Sequence, residues 1–256
     1  MNVAVVGAAG WVGRAVLENF AGRHRVRAFD YAPESWDKYR ALDGEWPQGL
    51  DGEKGCGEKV YGDIADFAAV DRALEGCEGV VNLAAYFGYE ENPEDDMEPF
   101  RVNLKGLWNI LEVARRRGLR RVVQMGSCVV QHPKGVFLSS EVRSVEGNLY
   151  GLTKRLQEEL CRQFYDAHGV RMIVLRPCSI GDSRLGISRD GAPARGGISW
   201  VCRHDLAEAC HLALENETAD FEILHTASHP EADRHCNAAR SREVLGLEYK
   251  GFFPEE

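Results

Sequence analysis

Three features of the sequence predict an α/β fold with a doubly wound parallel sheet. Short apolar runs alternate with segments of helical period along most of the chain, a pattern that covers parallel strands with helices on both faces. The first run, Val3 to Val6, is continuous rather than alternating, as in a strand buried on both sides. Gly7, Gly10 and Gly13 then separate that run from the first helical segment.

Strand, glycine turn and helix form the context of a dinucleotide-binding loop. Val12, Ala15, Val16 and Phe20 continue at helical spacing, and Gly22 is a stop signal. Gly7 supplies a tight turn, Gly10 allows the main chain to approach a pyrophosphate, and Gly13 allows close helix–strand packing. The helix N-terminus at Trp11 and Val12 then turns unpaired N–H groups and positive dipole toward the phosphates. A second strand, Arg25 to Phe29, ends at Asp30. A carboxylate there suits the hydroxyls of an adenine ribose. Tyr31 and Ala32 follow, with no arginine to offset a 2′-phosphate. The expected cofactor is therefore NAD rather than NADP.

Glu34 to Lys59 holds Pro47, five glycines, Trp36 and Trp46 without a clean period, and is expected to be a long surface loop with a helical turn. Lys59 to Tyr61 reads as a third strand, Phe67 to Leu74 as a helix, and Gly79 to Leu83 as a fourth strand. Ala84 and Ala85 at its end allow main chain to lie near a cofactor. A long helix is expected over Phe100 to Arg117, with Arg115, Arg116 and Arg117 complementing its C-terminal dipole. Strands at Arg121 to Met125 and Val170 to Leu175 flank a helix from Tyr150 to His168. Ser179 to Gly197 reads as a substrate loop. A helix over His204 to Glu215, a strand over Phe221 to His225 and a helix over Arg240 to Leu245 complete the reading.

The 256 residues carry a net charge of −9 and are 44% hydrophobic and 28% charged. That balance suits a soluble globular protein and argues against nucleic acid or an acidic membrane surface as partner. No run approaches the roughly 18–20 apolar residues of a membrane span, and no export signal is expected, since the sequence opens directly on a strand without a basic region and apolar stretch. The eight cysteines, Cys56, Cys77, Cys128, Cys161, Cys178, Cys202, Cys210 and Cys236, contain no CxxC pair. They are expected to be reduced thiols in the cytoplasm. Cys202 with His204 and Cys210 with His211 match no ligand spacing, so no metal is expected.

The chemistry is carried by Tyr150 and Lys154, in the order Y-G-L-T-K. Four residues apart, both lie on one helix face. An ammonium beside a phenol favours the phenolate and lowers a pKa that starts near 10, as a general acid/base requires. Ser127 lies just past the fifth strand, at the sheet edge where doubly wound folds place ligands. Its hydroxyl is suited to polarise a carbonyl.

GAAGWVG at 7–13, Asp63-Ile64, NLAA at 82–85, Asn103, MGS ending at Ser127, YGLTK at 150–154 and LRP at 175–177 occur in one order. With them the chain resembles the extended short-chain dehydrogenase/reductase family, the NAD-dependent epimerase/dehydratases. The resemblance implies a Rossmann core over 1–177. It implies a small C-terminal substrate lobe over 178–256, from which helix 204–215 and strand 221–225 return to the core. It makes Tyr150 the acid/base, and Lys154 the residue that tunes it and holds the nicotinamide ribose. Ser127 would bind the reacting oxygen, and Asn103 would support a proton path. Asp63 and Ile64 would lie around adenine, Leu83, Ala84 and Ala85 along the cofactor, and Pro177, Cys178, Ser179 and Ile180 by the nicotinamide. Tyr86, Ser127, Cys128, Val129 and Tyr150 would face substrate.

Within the family, the short chain and NLYGLTK resemble the uronate-oxidising members. A carboxylate-binding arginine is then expected after the sixth strand, with Arg184 and Arg189 both candidates. The long 34–59 loop and apolar Cys128 and Val129 depart from that pattern. The expected activity is oxidation of a small sugar or sugar acid by hydride transfer to NAD, in a homodimer. The alternatives are a sugar epimerase or dehydratase, and a non-catalytic NAD-sensing regulator.

Overall fold

The computed structural model describes residues 1–43, 56–87, 97–130, 148–194 and 196–253. The first half runs β1 (Asn2–Val6), α1 (Trp11–Phe20), β2 (Arg25–Asp30), a 3₁₀ turn (Pro33–Asp37), α2 (Arg40–Asp43), β3 (Cys56–Tyr61), α3 (Phe67–Ala73) and β4 (Gly79–Asn82). Next come α4 (Met97–Pro99), a π-helical stretch (Phe100–Lys105), α5 (Gly106–Arg117), β5 (Arg121–Met125), a 3₁₀ turn (Cys128–Val130), α6 (Leu149–His168) and β6 (Met172–Pro177). The chain then forms β7 (Ser179–Asp182), β8 (Ile187–Ser188), β9 (Trp200–Cys202), α7 (Arg203–Glu215), β10 (Phe221–Thr226) and α8 (Ala238–Leu245).

Seven strands make one sheet in the order β10-β6-β5-β4-β1-β2-β3, and every pairing is parallel. Alternation along β1 explains the layering. Val3 and Val5 join α1 and α7 in one apolar cluster, while Ala4 and Val6 join α3, α5 and α6 in the other. Period-two side chains therefore meet helices on both faces, which is why the run is apolar throughout. The strand order reverses between β1 and β4, and the crevice at their carboxyl ends is where such sheets bind ligands.

Two stretches differ from the local reading. Between residues 34 and 59, Trp36 is buried against the first apolar cluster, and β3 starts at Cys56 because it pairs along β2. Burial and edge pairing override a turn-rich composition; residues 44–55 lie outside the described part. The 179–197 stretch is not loop alone, because β7 pairs antiparallel with β8 and parallel with β9 in a separate three-stranded sheet. A partner twenty residues away leaves no periodic trace in the strand itself. Gly181 permits this packing, since a Cβ there would stand 2.9 Å from both the Trp200 and Phe253 rings.

The arginine run at the end of α5 is matched by acids. Arg115 and Arg116 pair with Glu112, and Arg117 with Asp71.

Candidate active site

The glycine turn sits at the end of β1. Gly7 has φ +77°, a conformation that favours glycine. A Cβ on Gly7 would meet the Ala84 nitrogen at 2.9 Å, and one on Gly13 would meet the Gly7 carbonyl at 2.4 Å. Main chain thus fills the space where side chains would be. Gly10 caps α1 without a side-chain acceptor, and no acid lies in the first turn. Donors of that turn remain for an anion, as a pyrophosphate requires. The residues fit a dinucleotide on these grounds.

Asp30 has a structural duty as well. One carboxylate oxygen accepts the Ala9 N–H at 2.8 Å and the other accepts the Tyr31 N–H at 2.8 Å. A carboxylate has about four lone-pair sites, so these bonds leave acceptor capacity for ribose hydroxyls. Asp63 accepts from the Ala65 N–H at 2.8 Å and pairs with Arg101. The Ile64 side chain is packed beneath Gly106, so it contributes to the core. Trp11 is only 4% exposed, with its ring under the Arg203 guanidinium at 3.8 Å. Arg203 also grips Asp182 at 2.6 Å and Asp43 at 2.7 Å, which ties α7 and β7 to the start of α1.

At the other candidate end, Asn148 caps α6 by accepting the Gly151 N–H at 2.7 Å, placing Tyr150 in the first turn. Lys154 follows one turn later and is 1% exposed. Its Nζ donates to the Met125 carbonyl at 2.9 Å and lies 5.8 Å from the Tyr150 ring centroid. Burial lowers the Lys154 pKa to about 8, with Glu158 acting in the opposite direction. An ammonium has three protons, and Met125 takes one. Ser127 follows β5 by two residues and is 8% exposed; its Oγ accepts the Val129 N–H at 3.3 Å.

Asn103 is fully buried in the π-helical stretch. Its side chain clamps the Tyr86 main chain through both groups, at 2.8 and 3.2 Å, and donates to Thr153 Oγ1 at 3.0 Å. It therefore positions the segment after β4 against α6. Phe87, next in that segment, stacks on Tyr150 with centroids 5.0 Å apart and planes at 29°. Arg189 covers the other partner of this stack, its guanidinium 4.4 Å from the Phe87 centroid. Arg184 instead pairs with Glu18 at 2.8 Å. The fold lays one of the two candidate arginines on Phe87, the ring stacked on Tyr150, and sends the other to α1.

Cys128 and Cys178, from the turns after β5 and β6, line one cavity with Arg176, His225 and Cys236. A hydrogen bond between the Cys128 and Cys178 thiols pulls Cys178 down and pushes Cys128 up. Ser179 and Ile180 continue into β7, and Ile180 packs on the first apolar cluster.

Sequence reasoning missed the scaffold beneath these groups. Asn82 donates to Gln124 at 2.7 Å, Gln124 to Gln157 at 3.4 Å, and Gln157 to the Asn103 carbonyl at 2.6 Å. All four are at most 1% exposed. This chain of amides crosses β4, β5, α6 and the π-helical stretch. Beside it, Arg176 binds Glu158 through two bonds of 2.6 and 2.5 Å. Polar residues inside apolar strands (Asn82 in GVVN, Gln124 in RVVQM) were the available signal, since buried polar groups need partners.

The fold and the family match define an NAD-dependent enzyme of the dehydrogenase/epimerase type. Residues 3–182 match the model of the NAD dependent epimerase/dehydratase family, and the chain belongs to that family. Uronate dehydrogenase from Agrobacterium fabrum is 31% identical over 121 residues, which span 46% of this chain and 44% of that relative. An NAD-dependent glucose-6-phosphate dehydrogenase from Haloferax volcanii is 24% identical over 96% of this chain and 92% of its own. Among solved structures, UDP-glucose 4-epimerase from Brucella ovis in complex with NAD superposes with a TM-score of 0.76 at 19% identity, covering 97% of this chain and 93% of that one. Uronate dehydrogenase from Agrobacterium tumefaciens complexed with NAD superposes with a TM-score of 0.75 at 24% identity, covering 97% and 84%. NAD is the cofactor of the family, and the glycine turn and Asp30 fit it.

Proposed function

We propose that the protein is a dehydrogenase that oxidises a small sugar or sugar acid, of uronate type, with Ser127, Tyr150 and Lys154 as the reacting set. One observation carries the choice of substrate: Arg189 lies over Phe87, which stacks on Tyr150. A guanidinium held on the ring next to the proposed acid/base is suited to a carboxylate, which it binds with two parallel bonds. The partial likeness to uronate dehydrogenase supports the same reading.

In this mechanism Ser127 Oγ orients the hydroxyl that becomes a carbonyl. Tyr150, as phenolate, takes the proton from that hydroxyl. Lys154 stabilises the phenolate with its ammonium, and its remaining protons are available to ribose hydroxyls. Bound NAD supplies the hydride acceptor. Asn103 holds the Tyr86 main chain and the Thr153 hydroxyl of α6 in place while Arg189 anchors the substrate. Cys128, Val129 and Tyr86 complete the substrate wall, and Cys178 borders the nicotinamide side.

The protein is further proposed to be a cytoplasmic homodimer that pairs through the α5–α6 face. Trp108, Leu152 and Leu156 are each 37–40% exposed there. No helix among the described residues is long and apolar enough to cross a membrane.

The test is incubation with NAD and a panel of uronates and neutral aldoses, following NADH absorbance. NADH formation on a uronate, reduced at least tenfold in kcat/KM by Arg189→Ala, is expected. Sugar isomerisation without NADH would replace this reading with an epimerase. NAD binding with neither outcome would replace it with a cofactor sensor.

A further inference from the structure

At the amino edge of the sheet, opposite the reaction site, two histidines and an acid converge from elements far apart in sequence. His24 immediately precedes β2, and His211 and Glu215 lie four residues apart on one face of α7. His24 Nε2 stands 2.8 Å from His211 Nδ1, and His24 Nδ1 stands 3.9 Å from a Glu215 oxygen. One ring nitrogen of each histidine and a Glu215 oxygen all lie within 4.8 Å of one another. The Phe20 ring walls the site, with centroids 4.7 Å from His24 and 6.3 Å from His211.

His24 is 4% exposed, and its Nδ1 has no hydrogen-bond partner. A buried polar nitrogen without a partner is destabilising, and here it faces a carboxylate. The other charges near the two rings are the N-terminal ammonium, Arg23, Glu78 and Glu208, and Glu78 accepts the Asn2 N–H. Glu208, one turn before His211, accepts from Asn19 and Arg23 at 2.7 Å each. Glu215 is left facing the two rings, with its side chain 42% exposed.

We infer that His24, His211 and Glu215 form a site for a borderline divalent cation of the zinc class. Two imidazoles and a carboxylate are a ligand set that zinc takes, with bonds of about 2.0–2.2 Å and ligand atoms roughly 3.4 Å apart in a tetrahedron. The present separations need only small side-chain adjustment to reach that arrangement. The ion replaces the hydrogen bond between the rings, each ring turning a lone pair to it. The exposed side, at Glu215, leaves a position for water. Such an ion clips the turn after α1 to α7, and so ties β2 to the helix that carries Arg203. The site is independent of the substrate proposed above.

The test is a titration of the purified full-length, metal-stripped protein with Zn(II), following thermal unfolding, and with Co(II), following absorption. A Tm that rises and saturates at about one ion per chain is expected. The Co(II) spectrum is expected to lack the thiolate charge-transfer band that cysteine ligation gives. His211→Gln and Glu215→Gln, both at the partly exposed side of the site, are expected to weaken Zn(II) about tenfold or more while leaving the metal-free Tm near that of wild type. Zn(II) affinity unchanged in both variants, no Tm rise in wild type, or a thiolate band would overturn the inference. The last outcome would assign the metal to cysteines.

Discussion

The two ends of the cofactor crevice are built from different materials. The nucleotide end is main chain: Gly7 and Gly13 leave room where Cβ atoms would collide, and Asp30 holds the turn through the Ala9 N–H. The proposed reaction end is side chain: Lys154 shares the Met125 carbonyl with the buried amide chain, and Asn103 reaches the Tyr150 carbonyl through Thr153. A main-chain site is specified by what is missing from it, and short sequence patterns record that well. A side-chain site is specified by partners gathered from distant elements, and these appear only when the chain is folded. The same contrast predicts different failures on mutation.

The largest effect is expected at the reaction end. Tyr150→Phe should lower turnover about 10²–10⁴-fold, the range for losing a general acid/base. NAD affinity and Tm should stay near those of wild type, because the lost hydroxyl belongs to neither the glycine turn nor the core. Initial rates and NAD titration by fluorescence check both halves, and retained turnover would remove Tyr150 from the mechanism.

A reversed pattern is expected for Gly13→Val. The Gly7 and Ala8 carbonyls stand 2.4 and 2.5 Å from the new Cβ, and both belong to main chain that cannot swing aside. Overpacking of this kind costs about 1–3 kcal/mol or more. Urea unfolding should report that loss, and NAD affinity should fall with it. A variant that keeps both would contradict the close packing of α1 on β1.

The smallest effect sharpens the comparison through pH. His225, in the cavity beside Cys178, is 2% exposed. Burial, aided by the charge of Arg176, lowers its pKa from 6.5 to about 3. Between those values the unfolded chain binds the proton and the folded chain does not. This group's contribution is therefore complete above pH 6.5 and is lost as pH falls toward 3. The urea midpoint should drop on acidification from pH 7 to 4.5, and His225→Asn should flatten that slope without abolishing it. His24, lowered to about 4 by burial, adds to the remainder. An identical slope in the variant would place the acid sensitivity elsewhere.

The sequence by itself determined the order of the seven strands of the main sheet and of the longer helices between them, the glycine turn, the carboxylate ending β2, and the tyrosine–lysine spacing on α6. Each rests on spacing within a few residues, where the backbone geometry of helix, strand or turn fixes what neighbours can do. It left Arg184 and Arg189 equivalent, because a turn-rich stretch carries no period to orient either one. Pairing of β7 with β8 and β9 set their directions, one toward Glu18 and one over Phe87. Tertiary structure alone also decided the amide chain under Lys154 and the meeting of His24 with His211. Those contacts join residues 33 to 187 positions apart, and their free energy arises only when packing has excluded water from both partners.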